Sequence, residues 1–307
     1  MLEPGMRPLP GFRLGRQLGA GGFGEVWDAL NPDGKPVALK FMDCRTKPSS
    51  VISAEIRVLR ALRELKHPNI IQLYDVYATS HFIVLSMERA DGNLSDLHQV
   101  YLEETGKHVP PDHLLEMLEQ VAVGLDFLAG LRLPGFNTSS RGLQHCDIKP
   151  SNLLLVGDTV KIADFGLCAA SNWQTHKNAW KGTPPYAAPE LFKGQATTGT
   201  DQYALAVTFL RLCAGDRPFW PTNPTATPPL DCGVDMTKVR ESELPILRRA
   251  LHPLPSCRWP SCQEFIAQLR HAILRHRTTK RVPVKAVRDT LRTRAVDQAA
   301  GGAIKKT

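Results

Sequence analysis

The chain has 307 residues, a formal net charge of +8, and 42% hydrophobic and 22% charged residues, an ordinary globular balance that excludes a disordered chain. That length accommodates one large two-lobed domain or two ordinary ones, and no apolar run approaches the roughly 18 residues of a membrane helix. Seven scattered cysteines without a Cys-x-x-Cys pair argue for reduced thiols rather than a disulfide framework or a zinc site.

The N-terminus carries neither a basic leader nor an apolar signal core, so a cytoplasmic location is expected. The positive charge belongs to the last stretch. Residues 277–307 hold nine cations against Asp289 and Asp297, about +7 of the total, which leaves the rest of the chain near neutrality.

Phe12, Leu14 and Leu18 alternate with polar or small residues ahead of a glycine cluster at 19–24. Val26 and Trp27 resume a strand, Asn31-Pro32-Asp33-Gly34 makes a turn, and residues 37–41 form a third strand. Ile52, Ile56, Leu59 and Leu62 fall at helical spacing within 50–65, and His67-Pro68-Asn69 ends that helix. Residues 70–77 and 82–87 read as two more strands. After Gly92 the pattern turns helical. Residues 112–129 carry Leu114, Leu118, Val121, Leu125 and Leu128 along one side, and further helices are predicted at 200–214, 241–252 and 261–276. Short strands at 153–155 and 160–163 flank Gly157-Asp158, and the Pro- and Thr-rich stretch 221–229 reads as a loop. The order predicts an α+β fold in two lobes. A strand-rich N-lobe with one helix covers about 10–90, a mainly helical C-lobe about 91–276, and a basic tail follows at 277–307.

Gly19-Ala20-Gly21-Gly22-Phe23-Gly24 is a G-x-G-x-x-G run, and residues without side chains let backbone N–H groups approach phosphate oxygens. Dinucleotide-binding turns share these letters but run straight into a helix, whereas Glu25-Val26-Trp27 continues as a strand. The Gly-Lys-Ser/Thr of a Walker loop is absent. A glycine-tipped hairpin remains, lying over a nucleotide as a flap. Lys40 closes the strand that begins at Val37, and Glu55 lies on the following helix within a turn of Leu59. Its carboxylate can hold the Lys40 ammonium against nucleotide phosphates. Glu64 is the competing acid, but beside Lys66 at the helix end it is expected to be solvated.

The segment His145-Cys146-Asp147-Ile148-Lys149-Pro150-Ser151-Asn152, then Asp164-Phe165-Gly166, gathers two carboxylates, a carboxamide and a lysine in a Pro- and Gly-broken loop. Phosphoryl transfer needs a group to receive the hydroxyl proton, oxygen ligands for a divalent cation, and positive charge near the γ-phosphate. Asp147, Asn152 with Asp164, and Lys149 can supply these in turn. An ordinary solvated turn accounts for either segment alone, but not easily for both together with the glycine flap and Lys40.

The ordered set Gly19 to Gly24, Lys40, Glu55, His145 to Asn152, Asp164 to Gly166, Ala188-Pro189-Glu190, Asp201 and Arg258 resembles the eukaryotic-type (Hanks) serine/threonine protein kinase family over about residues 10–275. The basic stretch after it is similar to that of bacterial members. The resemblance implies ATP and Mg²⁺ (Mn²⁺ as the alternative) as cofactors and proteins as substrates. It implies Met87 as gatekeeper, adenine on the backbone of Glu88 and Ala90, the ring between Val26 and Ala38, and Leu18 at its edge. It also implies a Glu190–Arg258 pair and an Asp201 that anchors the catalytic loop. Lys149 and Thr183, in Gly182-Thr183-Pro184-Pro185-Tyr186, resemble the serine/threonine branch.

Two positions depart from the family. Cys146 stands where an arginine usually precedes the catalytic aspartate, and Ala169 where a lysine often follows, so a phosphate on 164–190 lacks its usual cations. Cys146 and Cys168 are better explained as small hydrophobes than as a redox pair. Two other readings stay open: a pseudokinase scaffold, from which no ATP-binding group is missing here, and a small-molecule kinase, disfavoured by Ala188-Pro189-Glu190. The tail can bind nucleic acid or an anionic surface, although Gly301-Gly302 and the lack of interleaved aromatics favour a linker.

Overall fold

The computed structural model describes residues 2–22, 24–46, 48–131, 142–167, 182–215 and 239–274. Phe23, Cys168, Ala169, the loop 221–229 and the tail 277–307 lie outside the described residues, as do the last two residues of the helix predicted at 261–276. The chain divides into two compact units, the first running to Asp91 and the second beginning at Gly92.

The first unit is built on five antiparallel strands in the order β1-β2-β3-β5-β4, with β1 Arg13–Gly21, β2 Gly24–Leu30, β3 Pro36–Asp43, β4 Leu73–Ala78 and β5 Phe82–Met87. Alternation sends Trp27, Ala29, Val37, Leu39, Phe41 and Val84 to one face, where Leu9, Phe12 and Leu14 complete a core. The N-terminal segment is tied down there: Gly5 N–H donates to the Leu14 carbonyl (2.8 Å) and Leu14 N–H to that of Met6 (2.9 Å). The opposite face carries Met42, Ile83 and Leu85, packed with Val76 against Leu59, Ile52 and Ile56 of helix α1, Ser49–Arg63. The strand predicted from residue 70 begins at Leu73. Ile70 and Ile71 are buried, which gives them an apolar strand signature without a place in the ladder. Lys40, expected at a strand end, lies inside β3 with only 6% exposure.

The second unit opens with a small sheet of β6 Gly92–Asn93, β7 Leu153–Val156 and β8 Thr159–Ile162. Helix α2, Leu94–Thr105, falls where the pattern turns helical after Gly92, although the sequence reading gave it no bounds. Asn93 caps it by accepting from Ser95 N–H (2.8 Å) and Asp96 N–H (3.1 Å), Asp96 returns the bond, and Gly106 ends it at φ 66. Helix α3, Pro111–Gly130, buries all five leucines and valines of its predicted stripe. Helix α4, Thr200–Ala214, is buried almost all round. Helix α5, Leu244–Ala250, is shorter than the predicted 241–252, because Glu243 flanks its start, with Pro245 in the first turn, and Pro253 follows. Helix α6 spans Cys262–Leu274, and the Asp126 carboxylate of α3 accepts its first N–H groups, from Cys262 (2.8 Å) and Gln263 (3.0 Å). Among the described residues no helix is long and apolar enough to cross a membrane, and Cys44, Cys146, Cys213, Cys257 and Cys262 are free thiols.

Candidate active site

In the first unit the glycine hairpin closes with Gly21 opposite Gly24. Gly24 adopts φ 112, and a Cβ there would stand 1.9 Å from the Phe41 carbonyl oxygen, so a side chain would force β2 away from β3. At Gly19, Gly21 and Gly22 an added Cβ would meet nothing within 4 Å, so the flap surface is open to a ligand. Ala20 completes the described part of the motif within β1, and Leu18 is exposed beside it.

Paired residues of antiparallel strands project to the same face. Gly19 pairs with Val26, Val26 with Lys40, Lys40 with Leu85, and Ala38 with both Asp28 and Met87. The sequence-predicted Val26, Ala38, Lys40 and Met87 therefore share one face, the same face whose Met42 end is covered by α1. Glu55 sits half-buried on α1, one turn before Leu59 and three residues after Ile52, on the helix side that meets the sheet. The alternative acid, Glu64, bonds Arg63 at 2.9 Å with its side chain 71% exposed. After β5, Glu88 N–H donates to the Gln72 carbonyl (2.9 Å), and Gln72 N–H donates to Glu88 Oε2 (3.3 Å). This segment has its own brace before it reaches Ala90.

In the second unit the residues singled out at 147–152 and 183 converge. Asp147 is 4% exposed, and its Oδ1 accepts Thr183 N–H (2.9 Å). Its Oδ2 accepts from Asn152 Nδ2 (3.0 Å) and pairs with Lys149 Nζ (2.9 Å). Lys149 also donates to Thr183 Oγ1 (2.6 Å), so one lysine ties the loop to the segment that carries Thr183. Asn152 spends a second bond on the Asp147 carbonyl (2.8 Å), which leaves its Oδ1 as a hard oxygen donor. Asp164, half-buried, turns at φ 69 just before Phe165. Asn152 Oδ1 and the Asp164 carboxylate are both hard oxygen donors, the kind that an oxygen-loving divalent cation takes in preference to a soft metal.

The strained backbone of this loop has identifiable supports. Cys146 sits at φ 64, a conformation that non-glycine residues rarely adopt. The Asp201 carboxylate on α4 accepts the two N–H groups that lead into that strain, from His145 (2.7 Å) and Cys146 (2.8 Å). Burial pushes the Asp201 carboxyl above its ordinary value, opposed by the two backbone N–H bonds it accepts. The fully buried His145 ring is a second brace that sequence reasoning missed. Its Nε2 donates to the Ala163 carbonyl (2.9 Å), its Nδ1 accepts Asp147 N–H (3.3 Å), and it meets the Phe165 ring in a T-shaped contact with centroids 5.3 Å apart. The Cys146 side chain packs with Ala187 and Leu191.

Below Thr183 the expected Glu190–Arg258 pair is present. Arg258 Nη1 and Nη2 donate to the two Glu190 oxygens at 2.7 and 2.8 Å, with the arginine side chain fully buried. Thr200 Oγ1 adds a bond to Glu190 (2.9 Å), and Arg258 also caps the Gly199 and His252 carbonyls (2.9 and 2.8 Å).

Comparison with known proteins agrees with this geometry. A family profile described as "Protein kinase domain" matches residues 12–290. Serine/threonine-protein kinase PknF of Mycobacterium tuberculosis is 30% identical over 284 residues, covering 86% of this chain and 56% of PknF. CBL-interacting protein kinase 26 of Oryza sativa subsp. japonica is 32% identical over 220 residues, covering 69% of this chain and 42% of that protein. The crystal structure of the Mycobacterium tuberculosis PknI kinase domain superposes with a TM-score of 0.65 at 26% identity, over 89% of this chain and 100% of that one. The chain belongs to the protein kinase domain family, and it spans about half the length of the curated relatives it matches.

Proposed function

We propose that the protein is an ATP-dependent serine/threonine protein kinase that transfers the γ-phosphate of ATP to hydroxyls of protein substrates. The observation that carries this reading is the arrangement around Asp147, which holds Lys149, Asn152 and Thr183 on one carboxylate. Asp147 orients the incoming hydroxyl and receives its proton, while Lys149 neutralises charge at the phosphoryl group in flight. Asn152 and Asp164 would hold Mg²⁺, or Mn²⁺ in its place, which would supply charge neutralisation at the phosphates. Lys40, steadied by Glu55, fixes the α- and β-phosphates beneath the hairpin from Gly19 to Gly24. Adenine lies against Val26, Ala38 and Met87, with Leu18 at its edge, and bonds the Glu88 carbonyl and the Ala90 N–H. The Glu88 N–H is already committed to Gln72, which supports this assignment of donor and acceptor.

The serine/threonine preference is supported by the Lys149–Thr183 bond and by the names of the relatives. Phosphoamino-acid analysis of protein incubated with ATP and Mg²⁺ tests it. Phosphoserine or phosphothreonine is expected, and predominant phosphotyrosine would overturn the preference.

A further inference from the structure

Resting on the nucleotide reading above, the structure assigns a positioning role to an ion pair that no motif includes: we propose that Arg89 and Asp28 form a clasp that sets the purine-binding backbone. Arg89 Nε lies 3.1 Å from Asp28 Oδ1, with the two side chains 39% and 24% exposed. Asp28 sits on β2 directly opposite Ala38, and Ala38 is directly opposite Met87 on β5. These three share one row of the nucleotide-facing side of the sheet. Arg89 follows Met87 by two residues, so its side chain reaches back across about two strand spacings, roughly 10 Å, to meet Asp28. The pair spans the row that holds Ala38.

The segment after β5 is therefore pinned from both flanks. Glu88 is tied to Gln72 beside β4 by two bonds, and Arg89 is tied to β2 by its guanidinium. Between and just beyond these ties stand the Glu88 carbonyl and the Ala90 N–H, the two groups that read the purine edge in the proposed function. A hydrogen bond weakens steeply as its angle falls away from linear, so a small rotation of this segment costs purine affinity. Arg89 and Asp28 act through that backbone. The proposed function gives neither of them a phosphate or a metal to hold, so their effect belongs to binding and not to the transfer step.

The test is calorimetric titration of the whole protein with adenosine and, separately, with ATP and Mg²⁺. The variants are Asp28→Asn, Arg89→Gln, and the charge swap Asp28→Arg with Arg89→Asp; kcat and the melting temperature are measured on each. A half-exposed ion pair corresponds to about a two- to five-fold loss of affinity in each single variant. The loss is expected to be equal for adenosine and ATP, with kcat unchanged and the swap recovering most of it. Raising the ionic strength should weaken adenosine binding by the wild type toward the level of the single variants. Single variants that bind both ligands as the wild type does overturn the clasp while leaving the kinase reading intact. A loss confined to ATP would mean that Arg89 meets the phosphates, and a swap no better than the singles would mean that the charges do not pair; either overturns it. A wild type that binds neither adenosine nor ATP overturns the nucleotide reading itself.

Discussion

Replacing Arg258 by methionine tests how the platform below Thr183 is held. Methionine approximates the length of the arginine stem but removes both bonds to Glu190 and those to the Gly199 and His252 carbonyls. Among the described residues, Glu190, 5% exposed, would keep the hydroxyls of Thr200 (2.9 Å) and Thr197 (3.3 Å). Breaking a buried pair in this way costs about 3–5 kcal/mol, because the stranded carboxylate has neither water nor a counter-charge. For a unit of this size about 1 kcal/mol lowers the melting temperature by roughly 2–4 °C, so a fall of about 6–20 °C is expected. The double variant Arg258→Met with Glu190→Leu removes the stranded charge and should recover at least half of the loss. Thermal unfolding followed by circular dichroism measures all three proteins. A single variant within about 1 kcal/mol of wild type, or a double variant less stable than the single, would refute the reasoning.

Three further outcomes follow from particular contacts. Lys40→Met should weaken ATP affinity but keep its Mg²⁺ dependence, whereas Asp164→Asn should flatten that dependence; equal metal titrations for wild type and Asp164→Asn contradict the metal assignment. Burial, reinforced by Asp112, pushes the Tyr101 phenol from 10.0 up to about 12. Because the folded value lies above the unfolded one, its contribution is fully present below pH 10 and drains away between about 10 and 12; Tyr101→Phe should therefore lose melting temperature less steeply over that window. With Cys146 packed against Ala187 and Leu191 instead of offering a cation, phosphatase treatment should leave the initial rate on an exogenous protein substrate nearly unchanged. A large loss of rate, restored by autophosphorylation, would show that another cation serves.

The parts legible in the sequence were those set by local chemistry. The glycine hairpin, the turn at Asn31 to Gly34 and the stripe of α3 follow from residue types at fixed spacing, and they stand where expected. The bounds of helix α2 were not read although Leu94, Leu97 and Tyr101 recur at helical spacing, because its cap pairs Asn93 with Asp96 rather than the commoner Ser/Thr with Glu. The positive φ values of Cys146 and Asp164 could not be read at all. That of Cys146 is held by Asp201, 55 residues along the chain, and a cysteine does not signal it. Asp201, Glu190 and Arg258 were placed by family resemblance alone, since a buried ion pair between residues 68 apart leaves no periodic trace. The Arg89–Asp28 pair is of the same kind and had no motif to announce it.

The measurement that bears most directly on the central claim compares wild type with Asp147→Asn for transfer of labelled γ-phosphate from ATP to a protein substrate, with ATP affinity measured on both. Asparagine keeps the shape of Asp147 and one acceptor for Thr183 N–H, but it cannot take the proton of the attacking hydroxyl. The expected result is a rate lower by about 10²–10⁴-fold with ATP affinity essentially unchanged. Wild-type turnover in Asp147→Asn would contradict it.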